Sequence, residues 1–362
     1  MKIFAHLSAR TLGDFAAYAL LASSIRELFD DAALYVYFHN DRPYKKAIAS
    51  CIHNATRVFP VPATSNSTLP IEFFDYMYGR HRLPGSPLEE EPVSDADLIL
   101  SGRMLTDAML YSIPITTLRP PSYIAGSSND ALVALGLDPS KWIATVYWKE
   151  KGYPFRRDNP LRMIDDPAPY IAAIRHIIEN LGGQVVRLGH PSPTELPKLP
   201  GLIDLAKVEA SEWLQLYAVS VSRFLMAHQS GPASYGSSLG VPTALTEVHV
   251  CQGAWRDHDY MVTWDIIADG KALRQTELFD AGYLRTDWEP QQVLKFRHNT
   301  AAQLIAGADE MFQSTRDCTG WRPPAAPVAL QTRPNAISLP IPQGHRRDLL
   351  IPPSRRALKP GN

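Results

Sequence analysis

Cysteine is scarce in this chain. Its three residues, Cys51, Cys251 and Cys318, are odd in number and widely separated. That spacing excludes a disulfide-stapled secreted domain and points to a reducing compartment. Long apolar runs are missing as well: no stretch approaches the roughly 18 apolar residues that cross a bilayer. Met1-Lys-Ile-Phe-Ala-His6 has no apolar signal-peptide core. A cytoplasmic location is expected. Charge of one sign is also lacking: with a formal net charge of −1, nucleic acid is not an expected partner. Metal-type spacing is absent too. His249, Cys251 and His258 fit no usual zinc pattern, and no Asp-x-Asp follows a predicted strand end.

What remains is an ordinary globular composition, 45% hydrophobic and 20% charged over 362 residues, long enough for two domains. Short β-rich runs alternate with helical patterns, the signature of parallel strands joined by crossover helices. Strands are predicted at 2–8, Leu34–Phe38, Arg57–Pro60 and Asp97–Ser101, with helices at Phe15–Phe29, Lys45–Asn54 and Ser127–Leu137. Between Ala63 and Pro92 the pattern gives loops and one short helix near Ile71–Tyr78. A second series starts at Trp142–Tyr147. It continues with helix Ala168–Asn180 closed by Gly182-Gly183, strands Gln184–Leu188 and Leu202–Leu205, and helix Ala210–Val219. A late helix, Glu289–Phe312, is expected to cross back towards the first half. The expected organisation is two Rossmann-like α/β domains, 1–138 and 139–320, facing across a cleft. A tail, 321–362, carries nine prolines and the basic residues Arg346, Arg347, Arg355, Arg356 and Lys359. Such a segment is expected to be extended or disordered, and its charge suits the anionic inner face of a membrane.

The most informative stretch is Phe224–Pro242. An apolar run ends at His228-Gln229-Ser230-Gly231, and a helix starts at Pro232, where the missing N–H costs nothing. Gly231 permits a tight turn and Ser230 is placed to cap free amides. A strand end facing a helix N-terminus favours an anion, above all a phosphate. Strand–turn–helix units of this kind are also common without any ligand. Three segments converge at this sheet edge: Tyr147-Trp148-Lys149-Glu150, Arg187-Leu-Gly189-His190, and His228–Pro232. Lysine, arginine, two histidines and turn amides together suit a diphosphate. Arg187 has a second reading, pairing with an acid at the sheet end; His190 and His228 have one as hydrogen-bonded loop residues. Trp148 and Trp255 read as packing residues, and Arg156-Arg157-Asp158 as a solvated loop. In the first half, Asp14 follows the first strand. It is either a general base for an acceptor hydroxyl or a helix cap.

Two resemblances follow from these residues. Leu12-Gly13-Asp14 before an apolar helix looks like bacterial heptosyltransferases. The second half, over about 140–315, resembles a bacterial glycosyltransferase family of polysaccharide loci, related to fucosyltransferases of the two-domain GT-B fold. The pieces are Tyr147-Trp-Lys149-Glu150-Lys-Gly152-Tyr153, Arg162, Tyr170, Gly183-Gln-Val-Val-Arg187-Leu-Gly189, Ile203-Asp204, Ser230-Gly231-Pro232, and an acidic segment, Gly270–Tyr283, with Glu277. Two departures stand out. The family's His-x-Arg is Tyr147-x-Lys149, and an asparagine after the Gly-x-Pro strand is Glu247. The resemblance implies an inverting glycosyltransferase; with turn amides and cations to hold the leaving charge, and no Asp-x-Asp at a strand end, neither metal nor cofactor is expected. Its partners would be a nucleotide-sugar donor and a glycan, lipid-linked or other hydroxyl acceptor. Asp14 and Lys149 would be catalytic. Tyr147, Arg187, Gly189, His190, His228, Gln229, Ser230, Gly231, Pro232 and Glu277 would hold the donor. A sugar-nucleotide epimerase of the same architecture and a catalytically silent scaffold remain as alternatives.

Overall fold

Runs of branched and aromatic residues form two parallel sheets, and helices supply the crossovers. A computed structural model describes residues 1–7, 9, 11–62, 96–101, 107–110, 112–150, 163–190, 194–209, 211–248, 254–268, 270–273, 277 and 294–316. The expected helix near Ile71–Tyr78, the Gly152-Tyr153 and Arg156–Asp158 segments, Arg162, His249, Cys251 and the 321–362 tail lie outside these residues.

The first sheet comprises β1 (Lys2–Leu7), β2 (Ala33–Asn40), β3 (Arg57–Pro62) and β4 (Leu98–Ser101), all parallel in the order β3-β2-β1-β4. Its connections include α1 (Leu12–Arg26) and α2 (Pro43–Ser50). After a short α3 (Asp107–Leu110), α4 (Ser122–Ala134) leads towards the second sheet. That sheet contains β5 (Ile143–Tyr147), β6 (Gln184–Arg187), β7 (Leu202–Asp204), β8 (Phe224–His228), β9 (Thr243–Val248) and β10 (Tyr260–Thr263). All its pairings are parallel, in the order β10-β9-β8-β5-β6-β7. Every residue of β5, β6, β8 and β9 is buried, as expected of a sheet covered on both faces.

The covering helices are α5 (Ala168–Glu179), α6 (Glu212–Ser220), α7 (Gly231–Ser238) and α8 (Ala301–Ser314). One face packs Ala144, Val146, Phe224 and Met226 against Tyr170 and Ile174 of α5 and Leu304 and Met311 of α8. The other face belongs to a core that runs without a break into the first sheet. It joins Leu225, Ala227 and Leu245 to Tyr235 of α7, Leu20 of α1 and Ile3 of β1. The two halves are therefore sealed together along α1 and α7, with the Ser238 hydroxyl donating to the Ala16 carbonyl (3.3 Å) and the Leu118 amide to the Ser238 carbonyl (2.9 Å).

One expectation is corrected here. The late helix predicted over Glu289–Phe312 is divided: Leu294–Arg297 is a strand, β13, and α8 begins only at Ala301. β13 pairs antiparallel with β11 (Asp265–Ala268), which also pairs with β12 (Lys271–Leu273). Asn299-Thr300 makes the break, because Thr300 and Gln303 form a reciprocal capping box at the α8 start. α8 then packs on α5 of its own half instead of crossing back. Among the described residues, no helix is long and apolar enough to cross a membrane.

Candidate functional site

Strand order locates the site before any side chain does. The chain runs outward through β5, β6 and β7, then returns on the other side of β5 with β8, β9 and β10. The reversal lies between β5 and β8, and in the first sheet the corresponding point lies between β1 and β4. In open α/β sheets, ligands bind outside the strand carboxyl ends at such points. α1 follows β1 and α7 follows β8, so both helices begin at a switch point.

The α7 start follows the strand end at the switch point. Gln229 is tied down by its amide, which donates to the Thr246 carbonyl (2.9 Å). Ser230 is extended at the N-cap, and the helix opens on Gly231-Pro232. Ser230 does not cap, against expectation: its hydroxyl donates to the His228 carbonyl at 2.8 Å and makes no cap hydrogen bond to the first turn. The α1 start meets this turn directly. A Cβ on Gly13 would stand 3.0 Å from the Gly231 Cα, and one on Gly231 would stand 3.0 Å from the Gly13 amide nitrogen. The α1 cap is Thr11, whose hydroxyl accepts the Asp14 amide (3.3 Å) and donates to the Asp14 carboxylate (2.5 Å). Asp14 is thus a first-turn residue and solvent-exposed, favoured there by the helix dipole. Its capping alternative has gone to Thr11.

Elsewhere on the edge the predicted residues take different places. Tyr147 ends β5, buried, opposite Ala227 of β8. Lys149 follows, only 9% exposed, with its carbonyl accepting the Ile164 amide. His228 and Gln229 are buried at the β8 end. His190 is exposed, yet partial desolvation of its imidazole, opposed by Glu212, holds it below the ordinary histidine range.

Arg187 takes the second of its two readings. Only 2% exposed, it donates to Glu150 (2.8 Å) and Asp204 (3.1 Å), and its guanidinium lies 4.2 Å from the Trp148 ring centroid. The strand register sets Arg187 beside Val146 on one side and Asp204 on the other. The Thr194 hydroxyl closes the network on Glu150. Burial raises the Asp204 carboxyl despite the guanidinium beside it. Gly189 is likewise committed: its amide donates to Gln215 Oε1 (2.9 Å) and its carbonyl accepts from Gln215 Nε2 (2.8 Å). Glu277 pairs with Lys271 at 2.9 Å, beside the antiparallel sheet.

The sequence reading missed one group of this edge. Glu247, at the β9 end, has a φ of +54°, unique among the described non-glycine residues. Its buried carboxylate accepts from Trp264, His298 and Asn299. The only available signal was a glutamate at a position expected to be asparagine. Among the described residues, no group of three or more His, Cys, Asp or Glu side chains is arranged to hold a metal ion.

No family model and no curated protein matches the chain. Solved structures do. A glycosyl transferase family 9 protein from Veillonella parvula aligns at 11% identity over 86% of this chain and 97% of that one, with a TM-score of 0.55. The ADP-heptose lipopolysaccharide heptosyltransferase II of E. coli aligns at 12% identity over 87% of this chain and 100% of that one, with a TM-score of 0.52. The chain therefore has the α/β architecture of GT-B glycosyltransferases, as its two parallel sheets predicted.

Proposed function

We propose that the protein is a GT-B-type glycosyltransferase that moves a sugar from a nucleotide-sugar donor to a hydroxyl acceptor. One observation carries this reading: two switch-point helices begin against each other at Gly13 and Gly231, with the exposed Asp14 next to Gly13 and with Ser230 making no cap bond at the α7 start. The likeness to a family 9 transferase and to an enzyme named for ADP-heptose supports a nucleotide-linked donor.

In this reading the donor diphosphate lies on the α7 start, where fixed N–H dipoles stabilise charge without reorganising. The acceptor oxygen attacks the anomeric carbon as the bond from that carbon to the phosphate oxygen breaks. Asp14 takes the hydroxyl proton, and the diphosphate leaves with its charge held by the α7 amides and Lys149. Attack opposite the leaving group inverts the anomeric centre. No metal is required, since amides and a cation hold the leaving charge. The acceptor is read as a glycan or lipid-linked hydroxyl, as in polysaccharide assembly at the inner membrane face, with the basic tail as membrane contact.

The test is a thermal-shift panel of UDP-, GDP-, CDP-, ADP- and dTDP-sugars, with and without EDTA. A nucleotide at about 100 times its Kd stabilises a fold by about 2.7 kcal/mol. One base class stabilising equally in EDTA supports the reading; no response to any of them overturns it.

A further inference from the structure

Beside the α7 turn stands a constellation that the reading above does not use. Glu247 holds a left-handed backbone, φ +54°, which side chains other than glycine rarely adopt, and such strain concentrates at functional sites. Its carboxylate receives Nδ1 of His298 at 2.7 Å, the Trp264 indole N–H and the Asn299 amide at 3.2 Å. A carboxylate only accepts, so Nδ1 carries a proton and the ring is oriented by that bond. Nε2 has no hydrogen-bond partner among the described residues, and the imidazole is 43% exposed while Glu247 is 1% exposed.

Its position is fixed by the sheet. Gln229 donates to the carbonyl of Thr246, the residue before Glu247, and the α7 helix begins two residues after Gln229. The dyad therefore stands at the carboxyl edge of β9, next to the strand end that feeds the anion-receptive turn. A purely structural tie between β9 and α8 does not need this ring. Asn299 already makes that tie, its side chain accepting the Glu247 amide (2.7 Å) and donating to the Thr263 carbonyl (2.8 Å).

We propose that His298, oriented by Glu247, is a ligand-contacting residue whose Nε2–H donates to a phosphate oxygen of a bound nucleoside diphosphate. The inference rests on the donor-site reading and extends the site from the α7 turn to the β9 edge. The hydrogen bond that the ring donates to Glu247, with that carboxylate's charge, holds the imidazole above its ordinary range against the opposing effect of burial, and Asp165 ahead of α5 adds to the rise. Tyr170 of α5 also lies near Glu247, its phenol pushed well up by burial. Glu247 and Asp165 are thus the charged groups that act on the ring.

The test is calorimetric titration of ADP, GDP and UDP into the wild-type protein and H298Q, near pH 6 and near pH 8.5. Ligand ionisation is common to both proteins and cancels in the comparison. Charge-assisted donors are about twice as strong as neutral ones. H298Q is expected to bind the responding diphosphate on the order of tenfold more weakly at the lower pH, with the wild-type excess lost at the higher. Equal affinities and equal pH dependence in the two proteins overturn the inference and leave the donor site standing. No binding of any of the three to the wild type overturns the donor-site reading and this inference with it. A second readout is the proton uptake on binding, from the buffer dependence of the enthalpy, compared between the wild type and H298Q. The inference predicts more uptake in the wild type, and equal uptake in the two overturns it.

Discussion

Gly13 at the start of α1 and Gly231 at the start of α7 are in backbone contact: a Cβ on either would come within 3.0 Å of the other's main chain. Both helices begin at switch points, so the contact brings the edges of two sheets to one place. It also accounts for the glycines physically, since a Cβ on either would press the two first turns apart by a few tenths of an ångström.

Substituting either glycine should therefore act on the site. In G231A the new Cβ also meets Leu12 Cβ at 3.0 Å, and overpacking of this kind costs about 1–3 kcal/mol. Urea unfolding should register that loss, and the nucleotide-induced thermal shift should shrink with it. A G231A protein of unchanged stability and unchanged nucleotide response would contradict the contact.

Asp14 separates chemistry from folding. D14N keeps the shape but removes the proposed base, so turnover should fall roughly 10²- to 10⁴-fold while donor affinity persists. T11A removes the true cap and should cost about 1 kcal/mol of stability with a much smaller effect on rate. Rate and stability measured on both variants check the assignment; equal rate losses in the two would sink it.

Arg187 should behave as a structural residue. R187A strands Glu150 and Asp204 at the sheet edge, and breaking a buried pair in this way costs about 3–5 kcal/mol. Denaturant unfolding should show the loss, while nucleotide binding well below the melting temperature should persist. Affinity lost without stability would return Arg187 to the donor.

His6 provides a pH test. Burial first, then His39 and Lys45, hold its imidazole down at about 3. Its folded value lies below the unfolded 6.5, so between these values the unfolded chain binds more protons. The stability contributed by neutral His6 is present above pH 6.5 and is lost as pH falls towards 3. Within that window the loss is about 1.4 kcal/mol per pH unit. Urea unfolding near pH 7.5 and near pH 5.5 should show a steeper acid loss in the wild type than in H6Q; equal slopes would contradict the assignment.

The sheets were legible because burial on both faces writes continuous β-rich runs, as in Phe224–His228 and Thr243–Thr246. The α7 start was legible because Ser-Gly-Pro punctuates it. Roles that depend on neighbours were not. Nothing local tells whether a Ser230 hydroxyl turns to a helix amide or to the His228 carbonyl. Arg187, Glu150 and Asp204 were all visible as motif pieces, yet only the β6–β7 register shows that the acids neutralise the arginine. The Glu289–Phe312 pattern carried a helical period across a strand, because antiparallel pairing with Asp265–Ala268 overrides local propensity. Glu247 and His298 are 51 residues apart in sequence, and no spacing rule joins them.

The central claim is that the first turn of α7 receives a nucleotide diphosphate. The most direct measurement is a titration of the responding diphosphate into ¹⁵N-labelled protein, following the backbone amides of residues 229–233. The account predicts saturable shifts largest at Gly231 and Ala233, with Gly13 and Asp14 moving in step. Saturable binding that leaves these amides unmoved while others shift would contradict it.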